Sequence, residues 1–320
     1  MKKILTFTSL LASAALLSAQ NKIDQTTIDR TTTTPPQSLS SGGGSGAGVS
    51  ASDSGAQRPV FLNTNLLSAF AGFDGSITYR SNPLTLPGDM KQAKTGIWQN
   101  SFSGGASLSP IDTDVAVVTP FFGGGWTMSD YLNDNLSTLN DYASSAYALL
   151  MIQHESGWGF RGGVSYANVR NNDTDSEDYS EFYPNIGAMT TYSLNADTLA
   201  IIDFSWGYHL SKSDSLLGGN TQSLNNWDAA FSYSLRHTYG DFVITPNYRL
   251  GYKRFTEAGT INDGRKDVMH TLSIRADYPI ADNLKLSANT SYSRRNSSGG
   301  AGTDYKNFDA GATISLNVNF

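Results

Sequence analysis

The 320-residue chain contains no cysteine. A disulfide framework, a thiolate metal site, an iron–sulfur cluster, a cysteine nucleophile and a lipidated cysteine anchor are all excluded by that absence. Charge is scarce too: Asp, Glu, Lys and Arg make up 16% of the residues, against about 25% in an average globular domain. The balance is acidic, 28 carboxylates to 22 basic groups for a net −6. That argues against a nucleic-acid binder, whose docking face must be basic. Long apolar runs are also missing. A membrane helix needs about 20 mostly apolar residues, and beyond the N-terminus the longest wholly apolar run is Ala146–Ile152. A helical membrane bundle is therefore excluded. What the chain does have is aromatic side chains (16 Tyr, 15 Phe, 5 Trp) and 31 glycines, within a hydrophobic content of only 39%.

Residues 1–19 (MKKILTFTSLLASAALLSA) carry Lys2 and Lys3, an apolar stretch from Ile4 to Leu17, and small residues at Ser18-Ala19. This is the build of a cleaved secretory signal peptide. Its removal takes away two lysines and no acid, moving the net charge from −6 to −8. Residues 20–66 hold a TTTTPP run and a GGGSGAG run, with no charge between Arg30 and Asp53. So polar and glycine-rich a segment cannot bury enough apolar surface to fold, and it reads as a disordered linker.

From residue 67 to 320 the hydrophobic period is two. Phe308, Ala310, Ala312, Ile314, Leu316, Val318 and Phe320 alternate with Asp309, Gly311, Thr313, Ser315, Asn317 and Asn319. Side chains alternate across a strand, so one face is apolar and the other polar. Comparable alternation marks 272–280, 284–292, 242–253, 227–236 and 202–209. It is weaker in 182–194, 158–166, 102–108 and 71–79, and in 116–126 and 142–152 it does not settle which face is which. Twelve strands are predicted, at about 67–80, 94–108, 114–128, 142–154, 157–170, 180–194, 198–211, 226–239, 241–255, 266–280, 283–294 and 305–320. Tight connections alternate with polar ones of about 10–15 residues. That alternation predicts an all-β fold, an antiparallel up-and-down barrel with short turns at one end and long loops at the other. Trp98, Trp126, Trp206 and Trp227 fall toward the long-loop end; Trp158, Tyr239, Phe242, Tyr278 and Phe320 fall toward the short-turn end. Aromatic belts at two membrane interfaces would look like this.

The signal peptide, the alternating segments and the terminal Ile314-Ser315-Leu316-Asn317-Val318-Asn319-Phe320 together resemble bacterial outer-membrane β-barrel proteins over about residues 67–320. The resemblance implies a transmembrane barrel in the outer membrane of a diderm bacterium, in contact with outer-membrane lipid. It also implies that Leu316, Val318 and Phe320 serve as a signal for the barrel-assembly machinery, and it admits a homo-oligomer. A nucleic-acid partner is not expected.

The polar face then becomes the candidate site. Its charged or titratable members are Asp74, Arg161, Asp203, His209, Asp228, Arg236, Arg249, Lys253, Arg275, Asp277, Lys285 and Asp309. They could pair and hold the barrel shut, or line a channel whose charged rings select solutes. The first function expected is a porin-like passive channel for small polar solutes. The alternatives are a plugged structural or adhesive barrel acting through its loops or linker, and an autotransporter-like translocator, for which residues 20–66 are a short passenger. Catalysis is not expected. Of His154, His209, His237 and His270 only His209 faces inward on a clear pattern, and Asp203 lies six residues along the same strand, roughly 20 Å away. Asp173, Asp175, Glu177 and Asp178 open like a calcium loop. The loop's glycine and final glutamate are absent, so a solvated acidic loop is expected. No cofactor or metal is implied.

Overall fold

The computed structural model describes residues 67–83, 94–213, 224–260, 262–300 and 304–320. The expected signal peptide and linker lie outside the described residues. The strands are β1 (Leu67–Arg80), β2 (Thr95–Leu108), β3 (Ile111–Asp112), β4 (Ala116–Tyr131), β5 (Asp141–His154), β6 (Trp158–Asn171), β7 (Glu177–Asn195), β8 (Thr198–Ser213), β9 (Asn226–Tyr239), β10 (Phe242–Phe255), β11 (Lys266–Ala281), β12 (Leu284–Ser298) and β13 (Tyr305–Asn319). All pairings are antiparallel; apart from the closing pair, they join sequence neighbours, except that β2 pairs with β4 past the two-residue β3. β1 pairs with β13, with Phe70 opposite Asn319 and Arg80 opposite Asp309. The twelve long strands thus close on themselves, and no long edge is left unpaired. At the seam the backbone of Phe320 both donates to Ala69 (2.8 Å) and accepts from it (3.2 Å).

Several strands outrun their expected bounds. β7 starts at Glu177 rather than 180, β4 runs to Tyr131 and β12 to Ser298. Polar residues there continue the ladder beyond the apolar segment, because strand pairing needs only backbone groups. The β6–β7 loop shrinks to residues 172–176, shorter than the β2–β4 connection at 109–115. The alternation of short and long connections is therefore less regular than expected.

Each strand has an exposed apolar face. Ile77, Phe102, Trp126, Phe204, Phe231, Leu250, Leu272 and Ile314 all lie open on the outside. A soluble monomer rarely exposes a contiguous apolar patch beyond a few hundred Å², whereas a barrel in lipid requires one. The strands whose faces the sequence left open are now settled. Phe122 and Trp126 are exposed while Phe121 and Tyr131 are buried, and the Tyr147 ring lies against Gly123 on that same inner side. Phe121 is paired with Leu149 and Thr119 with Met151. Apolar groups thus occupy both faces of β4 and β5, and this erased the period-two signal.

The aromatic belts are partly displaced. Trp227 is the second residue of β9 and Trp98 the fourth of β2, but Trp206 and Trp126 sit nearer mid-strand. Trp206 reaches its belt by stacking on Trp227 at 4.8 Å. At the short-turn end Phe242 and Tyr278 pack at 4.9 Å.

Candidate functional site

The sequence-derived site residues share the face opposite these exposed apolar groups, but they do not form one site. Their cross-strand partners divide them into a packed zone toward the long loops and a more open zone toward the short turns.

In the packed zone, His209 on β8 is enclosed, with only 1% of its surface exposed. Its Nδ1 lies 2.8 Å from Glu181 on β7. Its Nε2 lies 3.4 Å from Asp228 on β9, close enough for an ion pair but not aligned as a hydrogen bond. Tyr183 stacks on the imidazole at 4.1 Å and donates to Asp228 at 2.9 Å. Tyr179 donates to Glu181 and contacts Ser211. In the ladder Lys253 stands opposite Asp228 on one side and Asp267 on the other, the opposite-charge arrangement that favours cross-strand pairing. Arg265 forks onto Asp267 and lies over the Phe255 ring at 4.6 Å. Arg295 lies over Tyr305 at 4.3 Å. Arg249 is also buried here. A buried charge this far from water persists only when it is paired and hydrogen-bonded.

Apolar side chains ring this zone. Val169, Tyr179, Leu224 and Phe255 form one cluster with Ala143 beside it, and Ile97, Tyr131 and Leu136 form another with Leu139. Leu136 belongs to the 3₁₀ turn Asp134–Leu139 of the β4–β5 loop, which the Asn133 side chain caps. Burying that leucine supplies about 1.5–3 kcal/mol, which draws the loop against the barrel rim.

In the open zone, Arg161 on β6 makes a two-point ion pair with Asp203 on β8, one contact at 3.0 Å. The pair spans β7, and it can do so because residue 187 there is glycine: a Cβ would lie 2.6 Å from the guanidinium carbon. Gly207 does the same for Tyr183, whose ring would lie 2.4 Å from an added Cβ. Gly207→Ala is therefore expected to push Tyr183 off Asp228 and loosen the His209 stack. A barrel that keeps wild-type urea resistance and an unchanged Tyr183 signal by NMR would contradict this.

Arg275 donates to Asp277 at 2.8 Å and to Ser287 at 3.2 Å, and Lys285 stands 3.9 Å from Asp277. Asp74 lies within electrostatic range of Lys285. Asp309 accepts from Arg80 at 3.0 Å. Arg236 has no hydrogen bond or ion pair to any described residue, and its Nε is buried.

Glu181, Arg80, Arg265, Asp267 and Arg295 were missed as candidates. All share the inward parity of their strands; Arg80, Glu181 and Asp267 fall within the predicted strand bounds but outside the alternating apolar segments, and Arg265 and Arg295 fall one residue beyond those bounds. The acidic loop holds no set of three carboxylate or imidazole groups placed for a metal among the described residues. Asp175, at φ +54°, is engaged instead by Tyr142 and by Arg170 at 3.0 Å. The hydrogen bond from Tyr142, then that from Arg170, hold its carboxyl below the usual carboxylate range. At the C-terminus Leu316, Val318 and Phe320 all lie on the exposed face.

No family model matches the chain, and no curated protein is similar to it. Among solved structures, an outer membrane channel from Pseudomonas putida F1 is 10% identical, with a TM-score of 0.49 over 82% of this chain and 99% of that one. The translocator domain of the autotransporter NalP from Neisseria meningitidis is 11% identical, with a TM-score of 0.40 over 80% of this chain and 89% of that one. The KdgM porin is 12% identical, with a TM-score of 0.38 over 74% and 97%. A ladder closed from β1 to β13, apolar outside and polar within, makes this chain by architecture a closed antiparallel β-barrel with a lipid-compatible exterior.

Proposed function

We propose that the barrel is a porin-like passive channel for small polar solutes in a bacterial outer membrane, with a preference for anions. One observation carries this reading. At the short-turn end the inner face carries Arg236, Arg275 and Lys285, and nearly half of the Arg275 side chain is open to solvent. Charges that served only to hold the wall together would be buried, as Asp228 and Asp267 are at the other end. Charged groups lining a lumen select ions by sign.

Purified, refolded barrel in a planar bilayer is expected to give discrete conductance steps, and a salt gradient should shift the reversal potential toward anion selectivity. A fully refolded but silent protein would overturn the reading.

A second reading has its own support. The near-complete enclosure of Tyr179, His209, Arg265 and Arg295 fits a barrel closed at the long-loop end that acts through its loops or residues 20–66. Silence in the bilayer, with partner capture lost on deleting residues 20–66, would favour it.

A further inference from the structure

On the outward face of the wall, basic residues stand directly opposite one another. In the ladder Arg254 on β10 faces Lys266 on β11, and Arg294 on β12 faces Lys306 on β13. Opposed residues of antiparallel strands have Cα atoms only about 4.5–5.5 Å apart. All four side chains are exposed, and they share the parity of the outward Tyr252, Leu272, Tyr292 and Phe308. Arg294 donates to Asn296 at 3.1 Å, and none of the four makes an ion pair among the described residues. His270, also opposite Arg294, is hydrogen-bonded to Tyr248 at 2.8 Å. Like charges in direct opposition destabilise a ladder, and beside lipid they are screened less than in open water.

The nearby acids do not answer them. Asp263 accepts from the Gly259 backbone at 2.9 Å, Asp304 from that of Ser297 at 2.7 Å, and Glu257 from the Asn225 side chain at 3.4 Å. Asp267 and Asp309 point inward, onto Arg265 and Arg80. Four outward cations thus meet three carboxylates already engaged in the loops. Arg254 is the last residue but one of β10, Lys266 the first of β11 and Lys306 the second of β13. This places the pairs at the long-loop end, beside exposed aromatics. Trp227 faces Arg254, and Tyr292 faces Phe308 two residues inboard of Arg294 and Lys306. Such rings mark the headgroup level of a membrane. Trp227, Arg254, Asp263 and Lys266 line a groove of about 550 Å³, room enough for a small polar group.

We infer that the outward rim of β10–β13 binds the phosphate groups of anionic lipids in the leaflet on the long-loop side. Arg254 and Lys266 hold one headgroup in the groove beside Trp227, and Arg294 and Lys306 hold a second. A guanidinium forks onto two phosphate oxygens, and an ammonium adds a point charge. The stems of these side chains lie along apolar surface while their heads reach the headgroups. A lipid fits better than a free anion, because its acyl chains would cover the exposed apolar face that continues below each pair. A second copy fits worse, because two-fold pairing through this face would set cations against cations. The inference needs the barrel in a membrane but not an open lumen.

The full mature chain is refolded in neutral detergent micelles and mixed with equal amounts of phosphatidylglycerol and phosphatidylcholine. Native mass spectrometry then counts the lipids retained. Wild type is expected to prefer phosphatidylglycerol by about threefold or more. Arg254→Gln/Lys266→Gln and Arg294→Gln/Lys306→Gln should each lose one retained phosphatidylglycerol, and the fourfold variant should show no preference. Lys212→Gln removes an exposed charge on β8 that stands opposite Ser180, and should behave as wild type. Folding of each variant is checked by the heat-dependent shift in gel mobility. Equal retention of the two lipids by folded wild type, or an undiminished preference in the folded fourfold variant, would overturn the site. So would displacement of the lipid by millimolar inorganic phosphate, which would assign the cations to a free anion. A dimer that the fourfold variant loses would overturn it too, by assigning the face to a second copy.

Discussion

Replacing Asp228 by alanine is expected to destabilise the folded barrel by about 3–5 kcal/mol, the cost of breaking a buried ion pair from one side. Asp228 is 3% exposed and answers several groups at once. It accepts from Tyr183 at 2.9 Å, faces His209 Nε2 at 3.4 Å and stands opposite Lys253 in the ladder. Its charge also acts on Arg249 from the next strand. Alanine would leave a tyrosine hydroxyl without its acceptor and take one of two facing carboxylates from a buried lysine. Water could re-enter only by loosening the stack of Tyr183 on His209. Asp175→Ala is the matched control, because that carboxylate also contacts an arginine and a tyrosine but lies in an exposed loop. Exposed pairs are worth at most about 1 kcal/mol. Urea unfolding in lipid vesicles, followed by tryptophan fluorescence, measures both. Equal midpoints for the two variants would show that the packed zone does not hold the barrel together.

Phe231→Arg is expected to cost about 2–4 kcal/mol in a bilayer, the range for a basic residue at mid-depth on the lipid face of a barrel. Phe231 lies within β9 between Phe204 and Leu250 in the ladder, and all three are exposed outward. An arginine there meets hydrocarbon. One residue on, Ser232 points the opposite way and stands opposite Asp203, so Ser232→Arg should be far milder. The two substitutions place the same side chain on adjacent positions of one strand, on opposite faces. Refolding yield into vesicles and the urea midpoint decide between them. If Phe231→Arg were the milder change, the exposed apolar face would be meeting water, and the membrane reading would fail.

The contrast between those two positions shows what could be read from sequence and what could not. β9 to β13 alternate cleanly because their inner face is almost purely polar, so parity alone oriented Phe231 and Ser232. β4 and β5 defeated the same reasoning because Phe121, Tyr147, Leu149 and Met151 put apolar groups on the inner face as well. Strand ends were clipped where the apolar face gives out while the backbone ladder continues, and Arg295 sits in such a margin; Glu181 and Asp267 lie inside the predicted strands but ahead of their apolar alternation. Pairing was out of reach for another reason. Arg161 meets Asp203 across an intervening strand, and His209 meets Glu181 and Asp228 on its two neighbours. Periodicity within one strand says which way a side chain points, but not what register sets beside it. That Arg236 Nε finds no acceptor among the described residues is likewise a property of the assembled wall.

Gly187 and Gly207 have a mechanical consequence. By letting Arg161 and Tyr183 lie flat across a neighbouring strand, they turn long side chains into hoops that run around the circumference instead of spokes that cross the bore. Each hoop ties a strand to the next but one, so a slip of the strand between them would have to break a side-chain tie as well as backbone bonds. The width of the passage is thereby separated from the length of the residues that line it.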